Sequence, residues 1–186
     1  MTLKIILGII LAGVLSNNYA LLHFLGTGAV IENDRSTKKS LILGLGTTIV
    51  MVITTAITWF VNTYLLASLP YLQTMAFVIV ILAVVEILHV IAKKLLDGYC
   101  RADFVKFAIN GAVLGLCIHN TELGFAEAVV TAAAVGIGFM LTMTLFSKLI
   151  ANVDEDSVPE SFRGLPIALL TAGMIVLALL TLNFKF

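Results

Sequence analysis

Between Ile5 and Ile31 the chain carries no Asp, Glu, Lys or Arg. An α-helix needs about 20 mainly apolar residues to cross the hydrocarbon core of a bilayer. Inside lipid every backbone N–H and C=O must be paired within the protein, so apolar runs of this length leave few choices beyond membrane-crossing helices. Six such segments are predicted, at residues 3–31, 41–66, 72–92, 104–118, 125–150 and 165–182. Composition agrees. Of 186 residues, 60% are apolar and 12% are charged, whereas a soluble domain carries about 25% charged residues. That excludes a soluble enzyme, a secreted domain, a nucleic-acid binder and a disordered chain. With 11 basic and 11 acidic residues the net charge is zero, so no overall field steers a charged partner. The fold class expected is all-α: a single polytopic membrane domain over residues 1–186.

The charges sort by loop. The connections after the first, third and fifth segments, with the segment ends that adjoin them, hold nine of the eleven basic residues, among them Arg35, Lys38, Lys39, Lys93, Lys94, Arg101, Lys148 and Arg163. The other side of the membrane holds only Lys4 and Lys185. Basic loops stay in the cytoplasm. This predicts a multi-pass protein of the cell's inner membrane with those three loops cytoplasmic and both termini outside. The apolar run at the N-terminus exceeds signal-peptide length and has no small-residue cleavage pattern, so no cleaved leader is expected.

Two segments are unsuited to plain spans. The first carries Ser16-Asn17-Asn18 near its middle and Gly26-Thr27-Gly28 beyond it. The fourth is short and contains Asn110-Gly111 and Gly115. Asn is costly in hydrocarbon unless it faces protein or a cavity. The first member of each set of three is thus interrupted, which predicts an inverted 3+3 repeat with halves at about 1–96 and 97–186. Paired interrupted helices in such repeats mark a midplane site. Leu69-Pro70 and Leu165-Pro166 introduce the third and sixth segments in the same way.

Chemistry-bearing side chains are sparse. Glu86 and His89 are spaced i, i+3 on the third segment and share a face, a candidate ion or proton path, as is His23 on the first. Their structural reading is a pair reaching the cytoplasmic interface, with His23 satisfied inside the bundle. Asn17, Asn18 and Asn110 can cap half-helices or coordinate a cation through their amide oxygens. Cys100 and Cys117 form no metal or disulfide pattern with the three histidines. Thr47, Thr48, Thr54, Thr55 and Thr58, with Gly44-x-Gly46, suggest close helix packing with hydroxyls bonding across helices. Gly136-x-Gly138 with Thr142 and Thr144 is the counterpart. Trp59 and Tyr64 suit the outer aromatic belt. The Asp154-Glu155-Asp156 run and Glu122 read as solvated loops. No catalytic residue and no metal site are expected.

The stretch from Asn17 to Gly26 (Asn-Asn-Tyr-Ala-Leu-Leu-His-Phe-Leu-Gly) resembles the first-helix signature of the Rnf/Nqr membrane-subunit family. Asn110-Gly111-Ala112-Val113-Leu114-Gly115 is similar to its fourth-helix signature, Asn-Cys-Ala-Val-Leu-Gly. Phe162-Arg163-Gly164, followed by Ile167 to Gly173, is similar to its sixth. The resemblance covers nearly the whole chain and is nearest the RnfA and NqrE branch. It implies a membrane subunit of an ion-translocating electron-transport complex, at most a non-catalytic part of an oxidoreductase. It also implies an RnfE-like partner and other Rnf- or Nqr-like subunits, with a homodimer as the other arrangement. The family resemblance implies two cysteines per chain for a shared [2Fe–2S] cluster. Here Gly28 and Gly111 stand at those positions, so the chain is expected to lack its cluster ligands and to carry no cofactor of its own. The alternative is a stand-alone or differently partnered transporter of a small ion or metabolite on the same inverted-repeat fold, and a third reading is a packing subunit without transport.

Overall fold

The computed structural model describes residues 37–66, 70–95, 110–154 and 158–183. Regular structure among them is entirely helical. Five α-helices follow in order: α1 (Thr37–Tyr64), α2 (Gln73–Leu95), α3 (Gly111–His119), α4 (Phe125–Ala151) and α5 (Leu165–Asn183). Single 3-10 turns at Pro70–Leu72, Asn120–Glu122 and Glu160–Phe162 lead between them. The spans Ser40–Tyr64, Gln73–Ile91 and Phe125–Ala151 are long and apolar enough to cross a membrane, and Leu165–Ala178 is a shorter apolar stretch. The first predicted segment lies outside the described residues, and so does the front of the fourth. α1 begins at Thr37, inside the charged stretch assigned to a loop. Thr, Lys and Ser carry no helix-breaking backbone, so the helix extends beyond its apolar run.

The core is a crossing of α1 over α4, with α2 and α3 packed against it. Leu43, Val50 and Met51 of α1 meet Ala132, Val135, Phe139 and Met143 of α4, with Phe77 and Ile81 of α2 and Val113 and Leu116 of α3 closing the cluster. The crossing is tight because glycines sit in it. A Cβ on Gly44 would lie 2.8 Å from the Met140 Cα, and one on Gly136 would lie 3.0 Å from the Thr48 Cα. Moving from 44 to 48 on α1 means moving from 140 to 136 on α4, so the two helices run antiparallel.

Most of the hydroxyls bond within their own helix, and those of Thr54, Thr55 and Thr58 reach across to the Cys117 thiol of α3. Thr47, Thr48, Thr58 and Thr144 each donate to the carbonyl four residues earlier on their own helix, at 2.7–2.8 Å. Thr54 does the same to Val50. Each thus has a partner within its helix, which suits an apolar surrounding, and the closest approach of α1 to α4 is at the glycines. At the far end of α1, Gln73 Nε2 donates to Asn62 Oδ1 at 3.0 Å, tying the start of α2 to the end of α1.

α5 packs more loosely. Ala168 and Ala172 meet Phe146 of α4, while Leu169, Leu170, Met174 and Leu177 stay exposed. It starts after Gly164, whose φ of 78° lies in the left-handed region that other residues rarely adopt. Arg163, just before it, donates from Nε to the Val158 carbonyl at 2.9 Å.

Candidate functional site

Asn110 caps α3. Its backbone is extended (φ −78°, ψ 105°) and its Oδ1 accepts from the Ala112 N–H at 3.0 Å. The Asn110 carbonyl takes the Val113 N–H, also at 3.0 Å. A helix start leaves orphan N–H groups, and a side-chain oxygen is the usual remedy. The need is sharper here because Asn110 is 4% exposed, with no solvent to do the work. α3 has nine residues, far fewer than a span requires. It is a short helix whose N-terminal cap is buried.

Gly111 follows the cap and is half-buried, as is Gly115 one turn on. Between and beyond them Ala112, Val113, Leu116 and Cys117 form the buried face. The Cys117 thiol is free and sealed in the core. The hydroxyls of Thr58, Thr55 and Thr54 surround it from α1. Thr55 differs from its neighbours: its Oγ1 has no regular hydrogen-bond partner and finds only the sulfur, a weak acceptor.

One turn past the thiol, Asn120 is buried in the 3-10 turn. Its Nδ2 donates to the Ala128 carbonyl at 3.2 Å, while Oδ1 is left without a partner. Trp59 clasps the same connection. Its Nε1 donates to the Leu123 carbonyl at 2.9 Å, and its ring meets Phe125 and Phe60 edge-on at 5.3 and 5.5 Å. Tyr64 is exposed and stacks on Phe60. Of the aromatic pair, Tyr64 faces outward and Trp59 turns partly inward.

Glu86 and His89 do share a face of α2, with His89 Nδ1 3.9 Å from Glu86 Oε1. Glu86 is 56% exposed and His89 14%, so only the histidine turns toward the protein. No group of three metal-ligating side chains exists among the described residues. Asn17, Asn18, His23, Gly26, Gly28 and Cys100 lie outside those residues. Reasoning from sequence misses Asn120 and the inward role of Trp59. The signal for Asn120 is weak: a lone Asn in a short polar connection reads as solvent-facing.

Residues 6–185 match the family described as "Rnf-Nqr subunit, membrane protein". The chain belongs to the Rnf-Nqr family. It is similar to the A-type subunit of the ion-translocating oxidoreductase complex of Syntrophotalea carbinolica, 35% identical with 95% of each chain covered. It is also similar to the A-type subunit of the Na(+)-translocating ferredoxin:NAD(+) oxidoreductase complex of Acetobacterium woodii, 33% identical over 92% of this chain and 93% of that one. A third relative, the A-type subunit of the ion-translocating oxidoreductase complex of Shigella flexneri, is 34% identical over 89% of both chains. Rnf-Nqr subunits are membrane proteins, in keeping with the three span-length helices.

Proposed function

We propose that this chain is the A-type membrane subunit of an ion-translocating electron-transport complex. The observation that carries the reading is end-to-end similarity to proteins named as the A-type subunits of such complexes, with 95% of both chains covered in one case. The chain contributes scaffold and part of the membrane path, not a catalytic centre. Its partners in this reading are an RnfE-like membrane protein and the other Rnf- or Nqr-like subunits.

The inner-membrane arrangement is six spans in an inverted 3+3 repeat, with both termini outside. Two features support it. A shift of 92 positions takes Gly44 to Gly136 and Thr48 to Met140, the four residues of the antiparallel crossing. The same shift takes the buried positions 40, 43, 47, 50, 51, 54 and 55 onto buried positions of α4, and takes Asn18 onto the cap Asn110. The Trp59–Leu123 bond is the second feature. It joins the end of α1 to the start of α4, so the two charge-poor connections share one end of the bundle, as the distribution of basic residues requires. In this reading Asn17, Asn18, Gly26, Gly28, Asn110, Gly111 and Gly115 are the family-signature positions assigned to the membrane midplane, and Glu86, His89 and His23 are a candidate proton or ion path.

The test uses sealed inverted membrane vesicles from cells with and without this chain. Reduced ferredoxin with NAD, or NADH with quinone, is supplied and ion uptake is followed. Loss of redox-driven uptake in its absence, restored by re-expression, is the expected result. Redox-driven uptake that persists without the chain contradicts the reading. Ion or metabolite uptake by the purified chain alone in liposomes would favour the stand-alone transporter.

A further inference from the structure

The family resemblance asks of this chain two thiolates for half of a [2Fe–2S] cluster, and the structure lets that demand be tested at one of the two positions. Iron–sulfur clusters take cysteine thiolates or, in some centres, imidazoles. Gly111 has no side chain to offer. Asn110, next to it, has already committed its oxygen to the Ala112 N–H.

The nearest thiol in sequence is Cys117. α3 runs unbroken from Gly111 to His119, so Cys117 stands about 9 Å further along the helix axis at 1.5 Å per residue. That exceeds any adjustment a ligand can make while the cluster stays in place. The Cys117 side chain is also enclosed, packed with Leu116, Val113 and Met51 in the main core and covered by the α1 threonine hydroxyls. His119, the imidazole on this helix, stands at the opposite end from Gly111 and is exposed. Among the described residues no three ligating side chains gather anywhere. At the other position the sequence again has glycine, Gly28. Loss of both ligands is chemically coherent: once one thiolate is gone, the other serves no cluster.

We infer that this chain supplies no ligand to a [2Fe–2S] cluster and has kept the family's membrane scaffold without that redox centre. The inference deepens the reading of the chain as part of a complex, on which it rests. In an assembled complex, any iron–sulfur centre is held entirely by other subunits.

The experiment is iron and acid-labile sulfide analysis, with electron paramagnetic resonance of the reduced sample. The chain is purified anaerobically in mild detergent with whatever subunits accompany it. Wild type is compared with Cys100→Ala/Cys117→Ala and with Cys100→Ser/Cys117→Ser, so that one failure to fold does not decide the matter. The expected result is unchanged iron, sulfide and spectrum in the variant that assembles, and no iron on the chain purified alone. Loss of a [2Fe–2S] signal on replacing the cysteines, while the subunits still co-purify, overturns the inference. Failure of any other subunit to co-purify counts against the complex reading instead, and iron bound to the lone chain through Cys100 or Cys117 would still overturn this one.

Discussion

Met140 of α4 lies against Gly44 of α1 so closely that a Cβ on residue 44 would sit 2.7 Å from its Cγ and 2.8 Å from its Cα. One turn along, the roles reverse, and Thr48 presses its backbone and methyl group against Gly136. Each helix thus brings one glycine and one larger residue to the crossing. In lipid, where apolar side chains gain little by leaving their surroundings, such close packing is a main source of helix association.

Gly44→Ala and Gly136→Ala should therefore each destabilise the protein by about 1–3 kcal/mol, the usual effect of overpacking. The readout is the thermal unfolding midpoint in mild detergent. Gly173→Ala is the control, because a Cβ there meets nothing within 4 Å. Midpoints for Gly44→Ala and Gly136→Ala equal to that of Gly173→Ala would show that the helices do not cross as described.

Gly164 tests the turn into α5. Its φ of 78° makes Gly164→Ala unfavourable by on the order of 1 kcal/mol through backbone strain alone, since no neighbour crowds a Cβ there. Gly164→Asn should lose less, because Asn tolerates the left-handed region better. Equal stability of the alanine variant, the asparagine variant and wild type would exclude the positive φ.

The cap on α3 has a local readout. Asn110→Ala should weaken the helix start by about 1 kcal/mol, raising amide hydrogen exchange at Ala112 and Val113 several-fold. Asn110→Ser should retain part of the protection, since its hydroxyl can also accept from the helix start. Unchanged exchange in the alanine variant would count against a cap at this position.

Much of this is legible in the sequence because hydropathy speaks loudly in a membrane chain. The ends of α2, α4 and α5 fall close to those expected, and a capping role for Asn110 can be read from an Asn-Gly that interrupts a short apolar segment. What escapes reading depends on neighbours. The sequence suggests bonds across helices for Thr47, Thr54 and Thr58; each finds a carbonyl on its own helix, and Thr54 and Thr58 also reach the Cys117 thiol of α3. Sequence cannot rank those two partners. Asn120 reads as a loop residue until the fold places it beneath Ala128, and the inward turn of Trp59 requires knowing that Leu123 lies beside it.

Trp59 supplies a further prediction. Trp59→Phe keeps the ring contacts with Phe60 and Phe125 but removes the donor to the Leu123 carbonyl. A loss of about 1 kcal/mol is expected, larger for Trp59→Ala, measured as the shift in unfolding midpoint. If Trp59→Phe and wild type unfold together, the hydrogen bond does not hold the α3–α4 connection.

The most direct test of the central claim is mass spectrometry of what accompanies this chain when it is purified from its own membranes in mild detergent without oxygen. Its place in the complex predicts an RnfE-like chain and other Rnf- or Nqr-like subunits in fixed ratio to it. Recovery of the chain alone, or only as a homodimer, would contradict that place and leave the family resemblance as one of fold.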